Sequence, residues 1–168
     1  MALIKGTTIY FANTGDSRAI LINFKEENDE HITSIKTTND HSCDVESEAR
    51  RVVNKGGRIS KVSNNMGPLR VWLRHEDKPG LAMTRSIGDH VAKNIGVIAT
   101  PEISFTDISK ESVMVLGSDG LFEFMTNEDI AKIIFENRNQ KADYVAKLLV
   151  NEATHTWKQI QNYLDDIT

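Results

Sequence analysis

The chain has 168 residues, a length that suits one domain, or part of a larger one, with a substantial core. Its 20 Lys and Arg against 24 Asp and Glu leave a formal net charge of −4, which gives no electrostatic ground for a nucleic-acid partner. One cysteine excludes an intrachain disulfide, no apolar run reaches the ~18 residues that cross a bilayer, and the opening MALIKGTTIY lacks a signal peptide's apolar centre. A soluble protein of the cytoplasm or nucleus, without a membrane partner, is therefore expected.

The first forty residues alternate as paired strands: TTIYFAN, RAILINF and HITSIKTT, separated by TGDS turn chemistry and by polar KEENDE. Ile9 and Phe11 on one face, with Tyr10 and Ala12 on the other, predict a strand buried largely on both sides. Val45, Ala49, Val52 and Val53 fall near helical intervals, and Gly56–Gly57 supplies the stop. The stretch KVSNNMGPLRVWLRHEDKPG, punctuated by Gly67–Pro68 and Pro79–Gly80, predicts a loop-rich, flap-like section at about residues 60–95. Val113, Met114, Val115 and Leu116, bounded by Gly117, predict a short buried strand. Thr126 with Asp129 predicts a capping box ahead of Ile130, Ile133 and Ile134. A second helix is predicted from about Ala142 to Trp157, with Val145, Leu148, Leu149 and Ala153 inward. Strands precede, separate and follow the helices without βαβ alternation, which indicates an α+β layered fold. Neither a GxGxxG nor a GxxxxGK[ST] phosphate loop is present.

Four acids stand where surface charge is a poor explanation: Asp16 in NTGDSRA, Asp89 in RSIGDHV, Asp119 in GSDGL and Asp165 in YLDDIT. Singly, Asp16, Asp89 and Asp119, each beside a glycine, read as turns anchored by an Asx hydrogen bond. Converging at strand ends, such carboxylates suit Mg²⁺ or Mn²⁺, because hard cations prefer oxygen ligands. The five histidines show neither HExxH nor a paired zinc spacing and read as surface or loop residues. Cys43 lies in NDHSCDVE, where acids raise a thiol pKa, and reads as an ordinary exposed thiol.

The segments IYFANTGDSRAIL, GLAMTRSIGDHVAKNIGVIATPEI, VMVLGSDGLFEFMTNEDI and DDIT, in that order, resemble the successive motifs of the metal-dependent serine/threonine protein phosphatases of the PPM, or type 2C, family. DHSCDVESEARRVVNKGGRIS and RVWL resemble segments of that family between its first two motifs. The resemblance implies an antiparallel β-sandwich flanked by helices, in α-β-β-α layers, and a site holding two Mg²⁺ or Mn²⁺ ions. It implies metal ligation by Asp119 and Asp165, a weaker third metal at Asp16 with Glu123 as companion, and a structural turn role for Asp89. The reaction it implies is hydrolysis of phosphoserine or phosphothreonine in proteins by a metal-activated water, without a phosphoenzyme. The burial of Asp119 at a strand end would then be offset by a dication.

The family's front section, with its phosphate-binding Arg and Asp-Gly-His-Gly-Gly motif, has no counterpart before Ile9. Residues 1–168 therefore read as the C-terminal part of a phosphatase domain, incomplete at the N-terminus, with negligible catalysis expected in isolation. Unpaired sheet edges predict self-association. The alternative is a non-catalytic, phosphatase-like domain that binds or regulates a protein partner.

Overall fold

Alternation of apolar side chains sets the strands, and 3.6-residue spacing sets the helices, in a computed structural model that describes residues 1–25, 31–62, 67–161 and 163–168. Most of the KEENDE connection and residues 63–66 of the flap-like section lie outside the described residues. In chain order the strands are β1 (Ala2–Lys5), β2 (Thr8–Asn13), β3 (Arg18–Lys25), β4 (His31–Thr37), β5 (Arg58–Ser60), β6 (Arg70–Trp72), β7 (Pro79–Leu81), β8 (Glu102–Asp107) and β9 (Ser112–Gly117). The helices are α1 (Glu46–Asn54), α2 (His90–Lys93), α3 (Asp119–Phe122), α4 (Asn127–Glu136) and α5 (Ala142–Ile160). They divide between two compact units.

The first unit comprises Met1–Phe11, Ser17–Thr38 and Ser104–Thr168. Its centre is β3, antiparallel to both β4 and β9 in the order β4-β3-β9. Ile20 and Ile22 of β3, joined by Val113 and Val115 of β9, pack on Leu121, Ile130, Ile134, Leu149 and Ala153 from the helices. From the opposite face of the same sheet, Ala19, Leu21 and Met114 meet Ile9 and Phe11 of the second sheet, ordered β1-β2-β8. Helices, sheet and sheet thus form successive layers, an α+β sandwich built on antiparallel pairing. Each fully buried aliphatic side chain in it contributes about 1.5–3 kcal/mol by leaving water. The capping box is present: the Thr126 hydroxyl accepts from Asp129 N, and the Asp129 carboxylate accepts from Thr126 N.

Two strand readings need correction. Tyr10 is 39% exposed, so β2 is buried on one face, and the outer face stacks Tyr10 on Phe105 at 5.8 Å between centroids. The apolar run of β9 is only partly buried, with Leu116 50% exposed, because among the described residues β9 is bonded to a neighbour, β3, on one side alone.

The second unit comprises Ala12–Asp16 and Asn39–Ile103. Here α1 and β5-β6-β7, an antiparallel sheet of three-residue strands, surround Val52, Val71, Ala92 and Val97. These strands lie in and beside the stretch that reads as loop in sequence, since three residues are too few to show a period of two. Helix α1 buries Glu48 and Val52, while Val45 and Val53 are exposed, so the apolar spacing misplaces its inward face. A carboxylate occupies that face because Arg51, Thr84 and Arg85 all hydrogen bond to Glu48, at 2.6–3.3 Å. Burial alone would push the Glu48 carboxyl up, but the hydrogen bonds from Arg51, Arg85 and Thr84 outweigh it and hold the group well below the usual carboxylate range.

Two polar residues are also buried where the sequence places them at the surface. Cys43 is 3% exposed, and burial, with Asp44 adding to it, pushes its thiol up to about 11. His41 is 2% exposed, its backbone bonded to Gly15 and Thr84. Asp89 does serve a turn, through its backbone: it follows Gly88 with both φ angles positive, 102° and 47°, and its carbonyl accepts from Ala92 N at 2.9 Å. Its side chain makes no cap hydrogen bond.

Candidate functional site

Within the first unit, β9 ends at Gly117 and the chain turns through an extended Ser118 into α3. Ser118 holds the N-cap position of that helix, yet its hydroxyl does not cap it. The hydroxyl instead donates to the Asp166 carbonyl at 3.0 Å and accepts from Thr168 N at 3.1 Å, while Ser118 N donates to the Thr168 carbonyl at 3.0 Å. Residues 166–168 therefore lie against 118–120. Gly120 makes that approach possible, because a Cβ there would stand 2.5 Å from the Asp166 carbonyl oxygen. On the other side, Trp157 of α5 donates its indole N–H to the Gly120 carbonyl at 2.6 Å. The rings of Phe124 and Tyr163 pack edge-on to that indole at 4.7 and 5.4 Å.

This arrangement carries Asp165 and Asp119, 46 positions apart in the numbering, onto adjacent stretches of backbone. The two carboxylates are held alike. Asp119 Oδ1 accepts from Gly120 N at 2.9 Å, and Asp165 Oδ1 accepts from Asp166 N at 2.8 Å. Glu123 follows one turn after Asp119, its N–H donating to the Asp119 carbonyl at 2.8 Å, and lines an open cleft of about 400 Å³ with Arg18, Phe122 and Asn127. Asp16 belongs to the second unit, half-buried in the bend between β2 and β3. Asp119 itself is half-buried at the first position of α3, not sunk at the end of a buried strand. Burial alone thus demands no counter-ion for it, and the case for a cation rests on the company it keeps. Among the described residues, no group of three or more His, Cys, Asp or Glu side chains is gathered to hold a metal.

The sequence pointed to the acids and passed over their supports. Ser118 carried a signal, its place next to Asp119, whereas the indole of Trp157 reads only as one more apolar residue of a helix.

A family model described as Protein phosphatase 2C matches residues 1–157. The chain belongs to the protein phosphatase 2C family. This protein phosphatase 2C chain is 35% identical to Probable protein phosphatase 2C 61 and 37% identical to Probable protein phosphatase 2C 72, both of Arabidopsis thaliana. Each alignment covers 100% of this chain and 51% of the relative, so the chain spans about half the length of the curated relatives it matches. The crystal structure of serine-threonine phosphatase 2C from Toxoplasma gondii shares the fold, with a TM-score of 0.82 at 21% identity over 99% of this chain and 54% of that one.

For the Mg²⁺ or Mn²⁺ that the resemblance implies, the donors of this protein phosphatase 2C chain fit in kind. Asp119 and Asp165 offer hard carboxylate oxygens on neighbouring backbone, and among the described residues no Lys or Arg pairs with either. Two carboxylates would fill only part of a coordination shell, since such ions take about six or more oxygen ligands.

Proposed function

We propose that the chain forms part of a Mg²⁺- or Mn²⁺-dependent protein phosphatase that hydrolyses phosphoserine and phosphothreonine, with Asp119 and Asp165 as metal ligands. Glu123, in the same unit as these two acids, is assigned to a weaker, third metal. The observation that supports this most is the run of 166–168 against 118–120, which brings together the two stretches that bear these acids, with one oxygen of each carboxylate engaged by the next backbone N–H. When bound, the metals would acidify a water and offset charge on the phosphoryl oxygens. The chain's own contribution is to hold Asp119 and Asp165 oriented, and to keep the cleft beside Glu123 open to a phosphorylated segment of a protein.

Among the described residues no helix is long and apolar enough to cross a membrane. The compartment we assign is intracellular, cytoplasmic or nuclear, on the strength of a lone buried cysteine.

The test is release of phosphate from a phosphothreonine peptide, with Mn²⁺, by the longest native protein that contains these residues. Asp119→Asn and Asp165→Asn should each lower kcat/KM by about a hundredfold or more, as loss of a group that stabilises transition-state charge does. Unchanged turnover in both would remove the assignment. Residues 1–168 alone should give negligible turnover, because an incomplete ligand set binds metal weakly.

A further inference from the structure

The hydroxyl of Ser118 is oddly used. A serine at a helix N-cap ordinarily accepts from an N–H of the first helical turn. Here the side chain turns away from α3 and closes a small ring of hydrogen bonds with 166–168, accepting from Thr168 N and donating to the Asp166 carbonyl. Ser118 N adds a third bond, to the Thr168 carbonyl. The residues tied together are the immediate neighbours of Asp119 and Asp165, so one side chain links the two segments that bear these acids.

We propose that Ser118 is a positioning residue: its hydroxyl clips residues 166–168 beside Asp119 and thereby sets the separation of the Asp119 and Asp165 carboxylates. The inference rests on the reading of those two acids as metal ligands, and it assigns Ser118 a task with no bond-making in it. Two further contacts serve the same end. Gly120 leaves room for the Asp166 carbonyl, and Trp157 fixes the Gly120 carbonyl from behind, so the clip closes against a seat that cannot retreat. Ile167 also packs, partly buried, against the core of the first unit, so the Ser118 hydroxyl adds a directed hold to a tail that apolar contact already draws in. Groups that orient metal ligands are typically worth roughly 10–100-fold in metal affinity when removed.

The test uses the longest native protein that contains these residues, as for turnover, and two readouts. Mn²⁺ uptake is followed by the loss of the free-ion electron paramagnetic resonance signal, and amide hydrogen exchange is followed at Thr168 in the metal-free protein. Ser118→Ala should weaken Mn²⁺ uptake by about tenfold or more and speed exchange at Thr168, whereas Ser118→Thr, which keeps a hydroxyl, should restore both. Thr168→Pro removes the donor from the other side, so it should reproduce the loss of uptake and add little in combination with Ser118→Ala. Exchange at Thr168 unchanged in Ser118→Ala would overturn the clip by itself. Mn²⁺ uptake lost equally in Ser118→Thr would show a merely structural role and overturn the proposal. If Asp119→Asn leaves Mn²⁺ uptake intact, or the unsubstituted chain takes up none, the metal reading fails first, and the clip is then judged on exchange alone.

Discussion

At the scale of single residues, Glu48 shows how a charged group becomes core. Two guanidinium groups and a hydroxyl surround its carboxylate, and Arg51 also reaches the carbonyls of Thr84 and Gly96, so the side chain joins α1 to two later stretches of its unit. Removing one member of such a set leaves the others buried without a counter-charge, which costs about 3–5 kcal/mol. Glu48→Gln is therefore expected to lower the unfolding free energy by about that much, measured by urea denaturation at neutral pH. The pH dependence follows from the direction of the shift. The folded-state pKa is depressed, so the stabilisation is fully present above the unfolded value of about 4.3 and is lost as pH falls below it toward the folded value. The urea midpoint of the unsubstituted chain should fall over that acidic range more steeply than that of the Gln variant. Nothing in the apolar spacing around residue 48 announces this, because a pattern of hydrophobic residues counts Glu as surface. Asp119 was legible for the opposite reason: a carboxylate between Ser118 and Gly120 at the end of an apolar run breaks the pattern.

At the scale of elements, α4 is the clearest case of local chemistry deciding structure. The Thr126 hydroxyl and the Asp129 carboxylate satisfy each other's backbone N–H groups, and both interactions lie within four consecutive residues. The hydrogen bonds from the Thr126 hydroxyl and N–H hold the Asp129 carboxyl below its ordinary range. Thr126→Ala should cost about 1 kcal/mol in thermal or urea unfolding, and should return the Asp129 pKa, followed by NMR titration, toward the ordinary value of about 3.9. Because the folded pKa is depressed, the contribution of Asp129 stands above about pH 3.9 and fades as pH falls through the lowered value. Such a box can be read from sequence because it needs no distant partner. The sheet β5-β6-β7 could not be read, since its three-residue strands are defined by pairings such as Ile59 with Val71 and Val71 with Leu81. Those partners are brought together by the packing around Val52 and Val71, not by any local rule.

At the scale of the whole molecule, the sheet β4-β3-β9 has edges of different character. Strand β4 carries Lys36, a charge of the kind that discourages edge pairing, whereas β9 presents Val113, Met114, Val115 and an exposed Leu116. Self-association of the isolated chain is expected to run through β9. Leu116→Lys should lower the weight-average mass seen by sedimentation velocity at high concentration, while a strictly monomeric unsubstituted chain would defeat the idea. The layered fold that frames this edge was legible from alternation and helical spacing, because both periods report which face meets the core. Which face of β2 stays open was not, since Tyr10 is apolar enough to suit either side and Phe105 comes from a strand 95 positions away in the numbering.

By itself the sequence determined the local rules: the order of the longer strands and helices, the cap of α4, the turn at Asp89 and the identity of the acids worth watching. Each of these depends on neighbours a few residues apart, or on motifs whose order survives in the chain. Only the tertiary structure decided that Glu48, His41 and Cys43 go inside, and that 166–168 return to Ser118 and so bring Asp165 to Asp119. Those outcomes join residues distant along the chain, and their energies arise from burial and hydrogen-bond partners that exist only once the layers have packed.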